Sequence, residues 1–203
     1  MSSGLWKIIE TEIGQPFPCH LDSSDLCYYA EDYISGGGFL ASQGNDLISN
    51  FKKPVCRKDK PEWSYKERAI ITFAKTLSEI IPNNNDFTVT CIPTSKATDD
   101  IEYDPRFEET FSLLKEISPV IIIDYPIKLK QTIESSHIGG ERNVQFFLEQ
   151  YEWVGLKKLT KHIILVDDVI SSGSHFKACK NIISRHHKKI SVYGIFWAKT
   201  INS

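Results

Sequence analysis

The chain lacks long apolar runs, an excess of one charge, paired cysteines and internal repeats, and each absence removes a class of protein. No apolar stretch approaches the roughly 20 residues that cross a bilayer as a helix. The start, Met1-Ser2-Ser3-Gly4-Leu5-Trp6-Lys7, lacks the basic-then-apolar layout of a secretion signal, so no membrane partner and a cytoplasmic location are expected. The formal net charge of -2 leaves no electrostatic footprint for nucleic acid, whose binders carry a basic excess. One local basic run, Arg185 to Lys189, reads most simply as a helix C-terminus, where cations oppose the negative end of the dipole. The five cysteines (Cys19, Cys27, Cys56, Cys91 and Cys179) are scattered, with no CxxC pair. A structural zinc site is therefore not expected, and reduced thiols are the default.

What is present is ordinary globular material: 203 residues, 41% hydrophobic and 25% charged, enough for one domain with a sizeable core. Residues 1–60 read differently from 61–203. They hold short β-like pieces, Leu26 to Tyr33, Phe39 to Leu40 and Leu47 to Phe51, broken by Gly36-Gly37-Gly38 and Gly44-Asn45 and closed by Lys52-Lys53-Pro54. Glycine triplets and Gly-Asn pairs are turn chemistry. Neither a clear helix nor a Lys-Ser/Thr pair follows the triplet, which argues against a phosphate loop there. The first sixty residues are thus expected to form a small irregular region beside an α/β core.

From Tyr65 the apolar spacing turns helical and runs to Ile81. A short strand is predicted over Phe87 to Ile92, and a helix opened by Asp104-Pro105 follows. Val120 to Asp124 reads as a strand covered on both faces. Gln131 to Asn143 reads as a polar loop. Ile163 to Val166 is another buried strand, a helix is expected from about Ser174 to His187, and Ile190 to Trp197 is a last strand. This alternation predicts a central parallel β-sheet flanked by helices, with ligands beyond the carboxyl ends of its strands.

Two strand ends carry chemistry. After Ile163–Val166 come Asp167, Asp168, Val169, Ile170, Ser171, Ser172, Gly173 and Ser174, just where a helix begins. Helix N-termini expose unpaired amides and a positive dipole end, and a glycine lets backbone approach an anion closely. The serines add hydroxyl bonds. Two carboxylates do not favour a phosphate; they suit hydroxyl donors beside it, such as a ribose, with a magnesium ion nearby. A Walker B strand has a similar look, but no GxxxxGK[ST] precedes it. A plain N-cap explains one serine and not the paired acids. The second strand end, Thr94-Ser95-Lys96, reads either as a diphosphate clamp, with lysine as a point charge, or as an ordinary turn. None of the histidines has ligand spacing, and no Ser-His-Asp set can be argued from order along the chain.

Val166-Asp167-Asp168-Val169-Ile170-Ser171-Ser172-Gly173 resembles the phosphoribosyl-pyrophosphate (PRPP) signature of type I phosphoribosyltransferases. The resemblance covers about Phe87 to Trp197 and implies a type I phosphoribosyltransferase-like fold, with residues 1–60 contributing to a hood over the site. It implies that Asp167 and Asp168 meet the ribose hydroxyls and that Val169 to His175 bind PRPP, Ile170 to Ser174 cradling its 5-phosphate. His175 stands where the family usually has Thr. Thr94, Ser95 and Lys96 look like the family's pyrophosphate loop. Gln131, Thr132 and Glu141-Arg142-Asn143, with Arg106-Phe107, are similar to elements of the ComF subgroup, although the glycine between Arg and Phe is missing and so are that subgroup's cysteine pairs. Arg142 would either neutralise the leaving diphosphate from a closing loop or be an exposed loop residue, and Tyr28, Tyr29, Tyr33 or Phe39 would either stack on a base or belong to the core. The implied reaction is phosphoribosyl transfer from PRPP to a nitrogen acceptor such as a nucleobase. Mg2+ would sit at Asp167 and Asp168, directly or through water, and the protein would be a homodimer. The alternative is a non-catalytic PRPP or nucleotide sensor, or a ComF-like accessory in DNA uptake, processing or defence.

Overall fold

In the computed structural model, which describes residues 5–10, 18–133 and 143–201, the apolar run Ile163–Val166 lies in the middle of a long strand, β7 (His162–Ile170). Both faces of β7 are covered. Ile164 and Val166 pack into one core cluster, and Ile163 and Leu165 into the other. That two-sided burial is why the run is apolar without alternation.

Parallel neighbours flank β7 on each side: β3 (Phe87–Cys91) and β8 (Ser191–Ile201). The sheet extends to β2 (Leu26–Ile34) beyond β8 and to β4 (Ile122–Ile123) beyond β3, both pairings parallel. Strand β1 (Lys7–Ile8) closes the β2 edge in antiparallel sense. The central sheet is therefore mixed and six-stranded, in the order β1-β2-β8-β7-β3-β4, and not purely parallel.

Helices α1 (Gln43–Phe51), α2 (Trp63–Ile80) and α3 (Arg106–Ile117) cover one face. Phe73 stacks on Trp197 of β8 with ring centres 4.4 Å apart, and Phe51 meets Phe73, Phe107 and Trp197 edge-on. The other face carries α5 (Ser174–His186) and α4 (Val144–Gln150). Beside α4 lies a small antiparallel pair, β5 (Ile127–Leu129) with β6 (Tyr151–Trp153).

Four expectations change. Leu47–Phe51 is the end of α1 rather than a strand. The Gly-Asn pair that reads as a turn is the helix start. Ser42 caps it, and a Cβ on Gly44 would lie 2.3 Å from the Asp32 carbonyl oxygen, so only glycine lets α1 sit this close to β2. Buried Asn45 then ties α1 to the end of β2, accepting from the Ile34 amide at 2.8 Å and donating to the Ile34 and Gly38 carbonyls at 2.9 Å each. Second, residues 120–124 form a two-residue edge strand with Val120 exposed, not a strand covered on both faces. Third, β7 does not stop at Val166; its ladder with β8 continues through Asp167, Val169 and Ile170. Fourth, residues 26–51 supply β2 and α1 to the main sheet and core, while Phe39 and Leu40 lie exposed in a turn. Among the described residues, no helix is long and apolar enough to cross a membrane.

Candidate functional site

Strand order places the site. From β3 the chain runs through α3 to β4 on one side. From β7 it runs through α5 to β8 on the other. The connections of these adjacent parallel strands diverge, and a crevice opens at their carboxyl ends. It is a cleft of about 650 Å3, floored by Asp167 and Asp168. Pro93, Thr94 and Ser95 line it from the end of β3, and Val169 to Phe176 from the end of β7. Lys52, Arg106, Tyr33 and Phe196 complete its wall.

The serine loop forms the tight turn into α5. Gly173 has a φ of 81°, a left-handed conformation, and a Cβ there would lie 2.9 Å from Leu21 Cδ2. Glycine is required twice over, by the backbone and by this contact. The turn delivers the first-turn amides of α5 to the cleft wall, the arrangement that holds anions at helix N-termini. Ser172 Oγ lies 3.0 Å from Ser174 Oγ, and Ser171 Oγ 2.6 Å from Thr200 Oγ1. The His20 amide donates to the Ser172 carbonyl at 2.9 Å, so the segment entering β2 rests on the loop. His175 packs its ring on Phe147 and pairs its Nδ1 with the Tyr151 hydroxyl at 2.7 Å.

The acids differ although they are adjacent. Asp168 is buried, and each of its carboxylate oxygens meets a cation: Oδ1 lies 2.8 Å from Lys52 Nζ and Oδ2 3.0 Å from Arg106 Nη2. Arg106 also reaches Asp104 at 3.1 Å, and Asp104 pairs with buried Lys66 at 2.7 Å. Lys66 Nζ in turn donates to the Phe51 and Lys53 carbonyls at 2.7 and 2.9 Å, the residues on either side of Lys52. One chain of charges thus fixes both partners of Asp168. Burial opposes ionisation of Asp168, but the attraction of Lys52 and Arg106 overcomes it and holds the carboxyl below its ordinary range. For Asp167 the balance reverses. Burial, then the adjacent Asp168 charge, pushes its carboxyl up to about 7. For Lys52, whose side chain is half exposed, the partial loss of water acts against the charge and Asp168 prevails, keeping the ammonium protonated. The pair therefore presents one firmly ionised carboxylate and one that holds its proton more tightly, both able to accept from hydroxyl groups.

Lys96 is placed elsewhere. Its ammonium pairs with Glu102 at 2.6 Å and Asp100 at 3.7 Å, and it does not line the cleft, whereas Thr94 and Ser95 do. The Thr132 hydroxyl accepts from the Ala97 amide, and the Ile133 amide donates to the Ser95 carbonyl, so residues 132–133 brace this loop. Arg142, Glu141 and His137 lie outside the described residues.

Magnesium has a restricted fit. Among the described residues no group of three or more His, Cys, Asp or Glu side chains is placed to hold a metal. With both Asp168 oxygens engaged by cations, direct coordination there is disfavoured. Asp167 is the side chain that could hold Mg2+, which keeps several waters and takes few protein ligands when phosphates supply the rest.

Reasoning from the sequence alone did not find Lys52, Lys66 or Asp104 and noted Arg106 only for its neighbour. A signal for Lys52 exists: Ser42 as cap with Ile48 and Phe51 on one helical face would have placed it at a helix C-cap. No family model matches the chain, and no curated protein matches it either.

Proposed function

We propose that this protein binds PRPP in the β3/β7 cleft and transfers its phosphoribosyl group to a nitrogen acceptor such as a nucleobase. The observation that carries the reading is the left-handed Gly173 turn, which brings the N-terminus of α5 and two adjacent carboxyl groups with unlike surroundings to a single cleft at the switch point of the sheet. The resemblance of Val166–Gly173 to the PRPP signature supports the same assignment, and with it a type I phosphoribosyltransferase-like fold.

In this reading the 5-phosphate sits on the Ile170–Ser174 turn and the ribose hydroxyls donate to Asp167 and Asp168. A carboxylate has about four lone-pair sites, so Asp168 can accept from a hydroxyl without releasing Lys52 or Arg106. The bond from the anomeric carbon to the diphosphate oxygen breaks, and the electron pair leaves with the diphosphate. The acceptor nitrogen forms the new bond to that carbon and gives up a proton. Positive charge builds on the ribose on the way. The protein's contribution is positioning and a fixed field, with the Asp168 charge held beside the ribose by its two cations. Mg2+, when bound, would neutralise charge on the leaving diphosphate; Thr94 and Ser95 would hydrogen-bond that group. Arg142, from the segment before α4, is a further cation for it.

The test is calorimetric titration of the full chain with ribose 5-phosphate and with PRPP in magnesium buffer, followed by assay of diphosphate release with a panel of nucleobases. Binding of both and release with one base are expected; failure of ribose 5-phosphate to bind sinks the reading. A non-catalytic PRPP or nucleotide sensor, including a ComF-like accessory, is favoured by one observation: Lys96, the cation of the expected pyrophosphate loop, is engaged by Glu102 and Asp100. Binding of PRPP without release would select it.

A further inference from the structure

Beside the cleft lies a second hollow of about 550 Å3, lined by Ser49, Lys52, Lys53, Pro54, Arg57 and Glu62. Lys52 lines both spaces, so the two meet at its side chain. The ammonium of Lys52 is engaged by Asp168, which leaves Lys53 and Arg57 as the cations of this hollow beside the single carboxylate of Glu62. Lys53 is held by hydrogen bonds of its ammonium to Asn50 Oδ1 at 3.0 Å and the Glu62 carbonyl at 3.1 Å, both uncharged acceptors, so its charge is oriented without being cancelled. Arg57 stands 3.6 Å from Glu62 with its side chain 56% exposed, a loose pair in which the guanidinium keeps donors to spare. The backbone that presents Lys52 and Lys53 is fixed from beneath by Lys66 through the carbonyls of Phe51 and Lys53.

We propose that this hollow is a binding subsite for an anionic group of the acceptor, so that the acceptor carries a carboxylate or a phosphate. The inference rests on the PRPP reading of the cleft. In that reading the turn into α5 takes the 5-phosphate and the end of β3 takes the diphosphate. Lys53 and Arg57 form a third anion locus, and the reactant left to supply its anion is the acceptor. The subsite is built from the end of α1 and the residues that follow it, up to Glu62. It selects by charge rather than by stacking, in keeping with the placement of the aromatic candidates: Tyr29 lies under Lys7 and Lys199, Phe39 is exposed in a turn, and Tyr33 is the one of them that lines the cleft.

The test compares acceptors that differ chiefly in charge, nicotinate against nicotinamide and orotate against uracil, titrated calorimetrically into the full chain at saturating ribose 5-phosphate. The anionic member of at least one pair is expected to bind about tenfold more tightly, the scale of a charge-assisted hydrogen bond. The double variant Lys53→Gln, Arg57→Gln should erase that preference, and Glu62→Gln, which removes the opposing carboxylate, should strengthen it. Thermal melting of each variant reports that it is folded. Equal affinity within both pairs, no binding of any of the four probes, or a preference that survives the double variant overturns the proposal. Repeating the titrations without ribose 5-phosphate separates the two readings. An anion preference that depends on Lys53 and Arg57 while ribose 5-phosphate does not bind retains the subsite and rejects the PRPP assignment.

Discussion

Among the described residues Asp25 and Asp168 are both buried and each has a separate cation on each carboxylate oxygen, yet they do different work. Asp25 has a fully buried side chain, and Lys177 and Lys180 of α5 reach its two oxygens at 2.6 Å each. Asp168 is nearly as buried, with Lys52 and Arg106 at 2.8 and 3.0 Å. Asp25 closes a clamp: with Asp22, held ionised by its bond from Lys177, it ties the segment that rests on Ser172 to the outer face of α5. Asp25 does not line the cleft. Asp168 lies in a cleft beside a second carboxyl that holds its proton more tightly, and one of its cations, Lys52, is half exposed. A doubly paired buried acid is therefore not in itself the mark of a site; the cleft and the unlike neighbour are.

The contrast can be broken from either end. Asp25→Asn removes the charge, leaves Lys180 facing a neutral group and Lys177 with Asp22 alone, so a loss of about 3–4 kcal/mol in urea unfolding is expected. Ribose 5-phosphate affinity of the folded protein should stay within about threefold, because Asp25 lies outside the cleft. Lys66→Met leaves Asp104 buried with Arg106 alone and frees the Phe51 and Lys53 carbonyls; a loss of about 3 kcal/mol is expected by the same measurement. Asp168→Asn should cost less stability, since Lys52 can turn to water, but should weaken ribose 5-phosphate binding about tenfold, equivalent to about 1.4 kcal/mol. If Asp25→Asn and Asp168→Asn move stability and affinity in the same proportion, the distinction fails.

A separate effect is on pH dependence. Asp167 has its carboxyl raised in the folded state, so the folded protein holds this proton after the unfolded chain has lost it. Stability from this group is complete below the ordinary carboxylate value, declines as pH rises from there to about 7, and then levels off. Asp168 acts oppositely: its contribution is present above the ordinary value and is lost as pH falls through its lowered one. Unfolding midpoints measured from pH 4 to 8 should therefore show a downward component that disappears in Asp167→Asn. A profile unchanged by that substitution would show that Asp167 titrates as an ordinary acid.

Elements whose signal is local could be read from the sequence. The helical spacing from Tyr65 to Ile81, the strand at Phe87 and the strand–turn–helix around Gly173 each carry their own pattern, and the structure has them nearly where they were expected. What escaped depends on distant partners. Gly44-Asn45 is ordinary turn chemistry until β2 supplies the backbone groups that Asn45 satisfies. Val120–Ile123 is apolar enough for a central strand, and only the strand order puts it at an edge. Arg106 and Asp168 are 62 residues apart, and no spacing rule joins them. The candidate site was thus half legible: its loop and acids announce themselves, and the cations that set their ionisation do not.

Strand β8 sits between β2 and β7, and it follows both in the chain. Leu26 pairs with Tyr193, 167 residues later. During synthesis β2 therefore has no parallel partner until almost all of the described chain has left the ribosome, and both β2 and β7 carry an open edge meanwhile. Long-range parallel pairing is slow, and unpaired edges invite association. The same insertion that completes the cleft wall with Phe196 is thus the step that closes the sheet, so a nascent chain halted before Ser191 has neither a finished site nor a protected edge.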